Sequence, residues 1–135
     1  MEKNDFLHFV ITEPIRDILV SGYVDLQNIP VFHPLYERIY LIFDQIKIEI
    51  CVGDESKIIF TVIENIRQWI DVDEDDLFSV MSIYSLVFKT EQVIRIISAA
   101  CGDSLLSGLK LKYIDGEAER CVTFDPKNFF GFSFE

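Results

Sequence analysis

The residues of this chain that could do chemistry are carboxylates, and five of the 23 crowd into the six positions Asp71-Val72-Asp73-Glu74-Asp75-Asp76. Alternate acids of this kind can ligate calcium. Asp71, Asp73 and Asp75 fall on positions one, three and five of an EF-hand loop. The frame fails at two restrictive places. Asp76 stands where the sharp turn needs Gly, and Ser82 stands where a bidentate Glu is needed. A solvated acidic loop fits better than a calcium site, and no metal or cofactor is expected. The same carboxylates can instead meet arginines or lysines of a partner. Trp69 lies just before them; exposed, it would anchor an interface, and buried it would only pack. The candidate partner-binding set is therefore Asp71, Asp73, Glu74, Asp75, Asp76 and Trp69.

Other reactive side chains are scattered. His8 and His33 have no ligand-spaced neighbours, and His33 beside Pro34 reads as a hydrogen-bonded structural histidine. Cys51, Cys101 and Cys121 are odd in number, far apart and without CxxC spacing, which suits reduced core thiols. No nucleophile elbow, GxGxxG turn or P-loop is present. The expectation is a protein that is not an enzyme.

Composition narrows the partner. The net charge is -11, from 23 acidic and 12 basic residues. Such a charge repels nucleic-acid phosphates and speeds encounter with basic proteins. Half the residues are apolar, and 135 residues suffice for one domain over 1–135 with a substantial core. The N-terminus lacks a signal-peptide pattern and no run approaches a membrane span, so the expected address is the cytoplasm.

The elements that must position these groups read mostly as strands. Thr12 as cap, Pro14 in the first turn and Ile15, Ile18 and Leu19 on one face predict a short helix ended by Gly22. A loop carrying Pro30 and Pro34 follows, with Val31, Phe32 and Leu35 free to pack. Ile39, Leu41 and Phe43 then alternate, and so do Ile46, Ile48 and Ile50, with a phase flip between the two sets. A tight Asp44-Gln45 hairpin or a bulge in one long strand would each produce that flip. Gly53-Asp54-Glu55-Ser56 turns the chain into a strand from Lys57 to Ile66.

Residues 77–88 carry both signals. Asp73 with Asp76 resembles a capping box and Leu77, Val80, Met81 and Tyr84 are helix-spaced, so helix and strand both remain open. Residues 91–100 are ambiguous too, although β-branched Val93 to Ile97 favours strand. Leu109, Leu111 and Tyr113 alternate up to Asp115-Gly116, a type I′ turn signal. Closure there sets Lys112 opposite Glu119 and Leu109 opposite Val122. One face then carries Leu109, Leu111, Tyr113, Val122 and Phe124. Asp125 to Asn128 should turn the chain into a last segment, Phe129 to Phe134, whose alternating Phe residues read as core. The expected fold is mainly β, with α+β as the alternative. It is an antiparallel sheet, sandwich or partly closed barrel, with one or two short helices at its side.

Gly108 to Gly116, followed by Val122 to Phe134, resembles the closing hairpin of small bacterial immunity proteins. These protect cells against contact-dependent growth inhibition and related polymorphic toxins. The likeness covers about the last third of the chain. It implies a cytoplasmic antitoxin that binds one cognate toxin domain, often a nuclease, and blocks its active site or substrate approach. No functional residue transfers by motif, since such interfaces are specific to each pair. An acidic secretion chaperone and a small-ligand-binding β domain are the alternatives. The Phe132-Ser133-Phe134 end, which reads as strand, departs from the terminal helix usual in those chaperones.

Overall fold

Helix α1 (Lys3–Thr12) lies upstream of the helix expected from the sequence. Phe6 and Val10, four residues apart, form its buried stripe. Thr12 does not cap a following helix. Its hydroxyl turns back to donate to the His8 carbonyl at 2.9 Å, and Pro14 marks the stop. The expected helix is instead strand β1 (Asp17–Asp25). Ile18 and Val20 alternate into the core while Leu19 faces the other side, and tertiary pairing overrides the helix-like spacing.

The computed structural model describes residues 1–135 except 28 and 129, with the backbone alone at 128. The strands that follow are β2 (Val31–Ile42), β3 (Lys47–Val52), β4 (Ile58–Ile63) and β5 (Asp76–Ser82). After helix α2 (Tyr84–Phe88) come β6 (Arg95–Cys101), β7 (Leu109–Asp115), β8 (Ala118–Asn128) and β9 (Gly131–Phe134). The protein is mainly β. Its mixed sheet curls into a half-barrel, with the two short helices beside it.

One half of the sheet runs β5-β1-β2-β3-β4 and the other β9-β8-β7-β6. All pairings are antiparallel except the junction, where Tyr36 of β2 meets Gly131 of β9 in a parallel bridge. Gly131 has φ +106, and a Cβ there would sit 2.3 Å from the Tyr36 carbonyl carbon. Only glycine lets these two backbones meet. Helix α1 packs against β6 and also meets β4. The Phe6 ring stacks on Phe60 of β4 at 4.1 Å.

The predicted Pro30–Leu35 loop is largely strand. Pro34 lies within β2, opposite Gly22, where the β1–β2 register shifts. A Cβ on Gly22 would lie 2.1 Å from the His33 carbonyl oxygen, so a side chain there is excluded. The phase flip after Phe43 is a hairpin, closed by the Phe43 amide donating to the Ile46 carbonyl at 2.9 Å. The Gly53–Ser56 turn forms as expected, but β4 stops at Ile63, short of Ile66. Residues 76–82 and 95–101 are strands, and only 84–88 is helical. Asp73 makes no capping box with Asp76. Its carbonyl accepts the Asp76 amide at 3.0 Å in a turn that delivers the chain to β1 as an edge strand.

The β7–β8 hairpin keeps its predicted face but not its register. Leu109, Leu111, Tyr113, Val122 and Phe124 are all buried. Leu109 pairs with Phe124 and Lys112 with Cys121, two residues beyond expectation. The turn is Gly116-Glu117, with a positive φ at Gly116 and not at Glu117. That matches the II′ pattern, glycine first, rather than I′. A two-residue slip preserves every face, which is why the core assignment survives. Lys112 still reaches Glu119, diagonally, at 3.5 Å. Asp125 to Asn128 is not a turn. β8 runs through it with a register shift, and Asn128 pairs with Gly131. Phe129 lies outside the described residues.

The core draws buried residues from both helices and from every strand except β5. Helix α2 is fastened to the concave side through Phe88, whose ring meets Tyr84 at 5.0 Å and Tyr113 at 4.9 Å. The Tyr113 hydroxyl donates to the Phe88 carbonyl at 2.8 Å. No helix among the described residues is long and apolar enough to cross a membrane.

Candidate functional site

β1 and β5 carry the acidic group. In their antiparallel register Asp25, the last residue of β1, stands opposite Asp76, the first of β5. The turn before β5 folds back on this end. The Leu26 amide donates to the Asp75 carbonyl at 3.1 Å, and the Gln27 side-chain amide donates to the Asp75 carboxylate at 3.2 Å. Asp71, Asp73, Glu74 and Asp75 are exposed. The Asp76 carboxyl is held above its usual range, by burial first and then by the charges of Asp25, Asp73 and Asp75. His33 opposes that shift only weakly.

Asp25 was not legible as a member of this group. It sits 46 positions before Asp71 in the chain, and only the pairing of β1 with β5 brings it there. Beside the acids, the same end of the β2–β1–β5 ribbon exposes large apolar side chains. Ile29 is 82% exposed, Leu77 56%, and Leu26 and Val31 51% each. Val24 pairs with Leu77, and Asp25 with both Val31 and Asp76, so this apolar tip and the carboxylates adjoin. An exposed apolar patch rimmed by charge is the composition of a protein contact surface.

Trp69 is half-buried. Its indole Nε1 donates to Ser21 Oγ at 2.7 Å, and the Arg38 guanidinium stacks over its ring at 4.6 Å. It therefore acts as a strut, pinning the long β4–β5 connection to the outer face of the sheet. Under it lie Ser21, fully buried, and Tyr40, whose hydroxyl is buried beside Ser21 and Glu49 without a hydrogen bond of normal geometry. Burial pushes the Tyr40 pKa up.

The remaining candidates are dispersed. His8 is exposed on α1, and His33 lies exposed on β2 with its ring stacked on Tyr23 at 4.8 Å. The three thiols are free. Cys51 and Cys101 are half-buried, and burial raises both pKa values. Cys121, expected in the core, is exposed because it falls on the outward phase of β8 opposite Lys112. Among the described residues no cluster of three or more His, Cys, Asp or Glu side chains could hold a metal. Compared with known proteins, the chain matches no family model, no curated protein sequence and no solved structure.

Proposed function

We propose that this chain is an immunity protein, which binds a cognate bacterial toxin domain in the cytoplasm and neutralises it by stoichiometric contact. The observation that carries the reading is the apolar end of the β2–β1–β5 ribbon, rimmed by Asp25 and the acids of residues 71–76. A nuclease must present lysines and arginines to phosphates, and carboxylates placed on those charges compete for the same surface. Exposed Leu26, Ile29 and Leu77 supply the apolar contact that charge steering alone lacks. A net charge of -11 speeds the encounter. Inhibition of this kind needs no catalytic group on the inhibitor.

The direct test is protection. Cells expressing the toxin domain encoded beside this gene should grow when this chain is co-expressed, and a one-to-one complex should be recovered from them. Growth arrest despite full expression of the folded chain would contradict the reading.

A further inference from the structure

The outer face of the β2–β3–β4 sheet holds a second feature, distinct from the acidic end. Arg38, Glu49, Glu64, Arg67 and Trp69 line an open cleft of about 500 Å³ between the sheet and the β4–β5 connection. The Arg38 guanidinium forms one wall, stacked on Trp69 and 3.4 Å from the Glu49 carboxylate. Lys47 reaches the rim, its ammonium donating to the Glu64 carbonyl at 3.1 Å. The lining thus sets Arg38 and Arg67 against Glu49 and Glu64 in a chain of net charge -11. The cleft is locally balanced in charge, unlike the whole molecule.

Arg67 and Glu64 share the cleft, yet neither is ion-paired with the other or with any further group among the described residues. A guanidinium and a carboxylate held apart on one concave surface match a ligand that carries both opposite charges. A carboxylate fits the fork of an arginine in a bidentate pair, and an ammonium fits a glutamate. Trp69 and Ile63 supply apolar lining to the same cleft. Close beneath, on the same face as Arg38 and Glu49, is the buried Tyr40 hydroxyl that lacks a well-formed hydrogen bond.

We propose that this cleft binds a small zwitterion, an α-amino acid or a compound with the same carboxylate-and-ammonium pair. The carboxylate is held by Arg67 with Arg38, the ammonium by Glu64, and the ligand's apolar part lies against Trp69. Binding there braces the β4–β5 connection at its base. The cleft shares Trp69 with the candidate partner-binding set but none of its carboxylates, so ligand binding here and toxin binding are tested separately.

Trp69 is the only tryptophan, so its emission reports this cleft alone. The full-length protein is titrated with the common L-amino acids, and separately with acetate and with methylammonium at the same concentrations. A saturable change with at least one amino acid, absent with the two half-ligands, is expected. Arg67→Ala and Glu64→Gln should each weaken that binding at least tenfold, with the melting temperature unchanged because both side chains are exposed. No saturable response to any amino acid overturns the proposal, as does an equal response to acetate. Undiminished affinity in the folded Arg67→Ala protein also overturns it.

Discussion

Asp76 is held opposite Asp25 across the β1–β5 ladder, with Asp73 and Asp75 close by. Like charges set directly across a ladder oppose folding. Because the Asp76 carboxyl has a folded-state pKa above its unfolded value, its ionisation costs the folded state stability at neutral pH. That cost vanishes as pH falls through the folded pKa. Asp76→Asn removes it permanently. The variant should therefore melt at a slightly higher temperature at pH 7 than the parent, with the difference shrinking below pH 4. If the carboxylate serves partner contact, the same variant should bind several-fold more weakly; stability is given up where function needs charge. Thermal melts at two pH values check the first part, and a lower melting temperature at pH 7 would contradict it. The Asp103 carboxyl shows the opposite logic. Its pairing with Lys3 holds it below its usual range, so the stability it adds is present at neutral pH and lost on acidification.

At the scale of the elements, alternation was legible in β2–β3 and β7–β8, whose partners are close in sequence, but not in β1–β2, although that ladder closes between Asp25 and Val31. The apolar phases of β2, β3, β7 and β8 could be read locally, whereas the hairpin between β2 and β3 stayed open against a bulge and the β7–β8 turn fell one residue later than expected. Their faces survive even where the β7–β8 register moved by two, since period-two patterning fixes face and not offset. Segments that pair over long distances were not legible. Leu77 to Met81 carries helix spacing, but β1 supplies an open edge 53 to 61 residues earlier, and the segment becomes β5. The segment from Thr12 to Gly22 carries helix signals too, but β1, which takes up its second half, pairs with β5 as well as β2. The acidic run could be found from composition, whereas Asp25 and the exposed tip of Leu26, Ile29 and Val31 depend on that unseen pairing. Trp69 could be located but not its role, because Ser21 and Arg38 are remote in sequence. The junction of the sheet offers a test at this scale. Gly131→Ala forces a Cβ against the Tyr36 backbone at a positive φ, and should cost on the order of 2 kcal/mol or more in denaturant unfolding. A loss below about 0.5 kcal/mol, within the range of ordinary surface changes, would mean that the Tyr36–Gly131 bridge is not rigid.

For the whole molecule, the half-barrel buries one face of its curled sheet around a core from which β5 alone among the strands is missing. That leaves an edge strand held chiefly by β1, beginning in an acidic turn and bearing exposed Leu77, Val80 and Met81. Charge, exposed apolar surface and a loosely committed strand meet at one end, while α1 packs on the edge strands β4 and β6. This division between a packed body and a charged apolar end is what a stoichiometric inhibitor requires, and the immunity reading rests on it. Electrostatic attraction at such a surface weakens with salt, whereas apolar contact does not. The most direct measurement is the dissociation constant for a basic toxin domain encoded by a neighbouring gene, at about 0.05 M and 0.5 M salt. It is made for the parent and for the triple variant Asp73→Lys, Asp75→Lys, Asp76→Lys. Tight binding by the parent, weakened by salt, is expected, with a loss on the order of 100-fold in the variant at low salt. Equal affinity of parent and folded variant at both salt concentrations would contradict it.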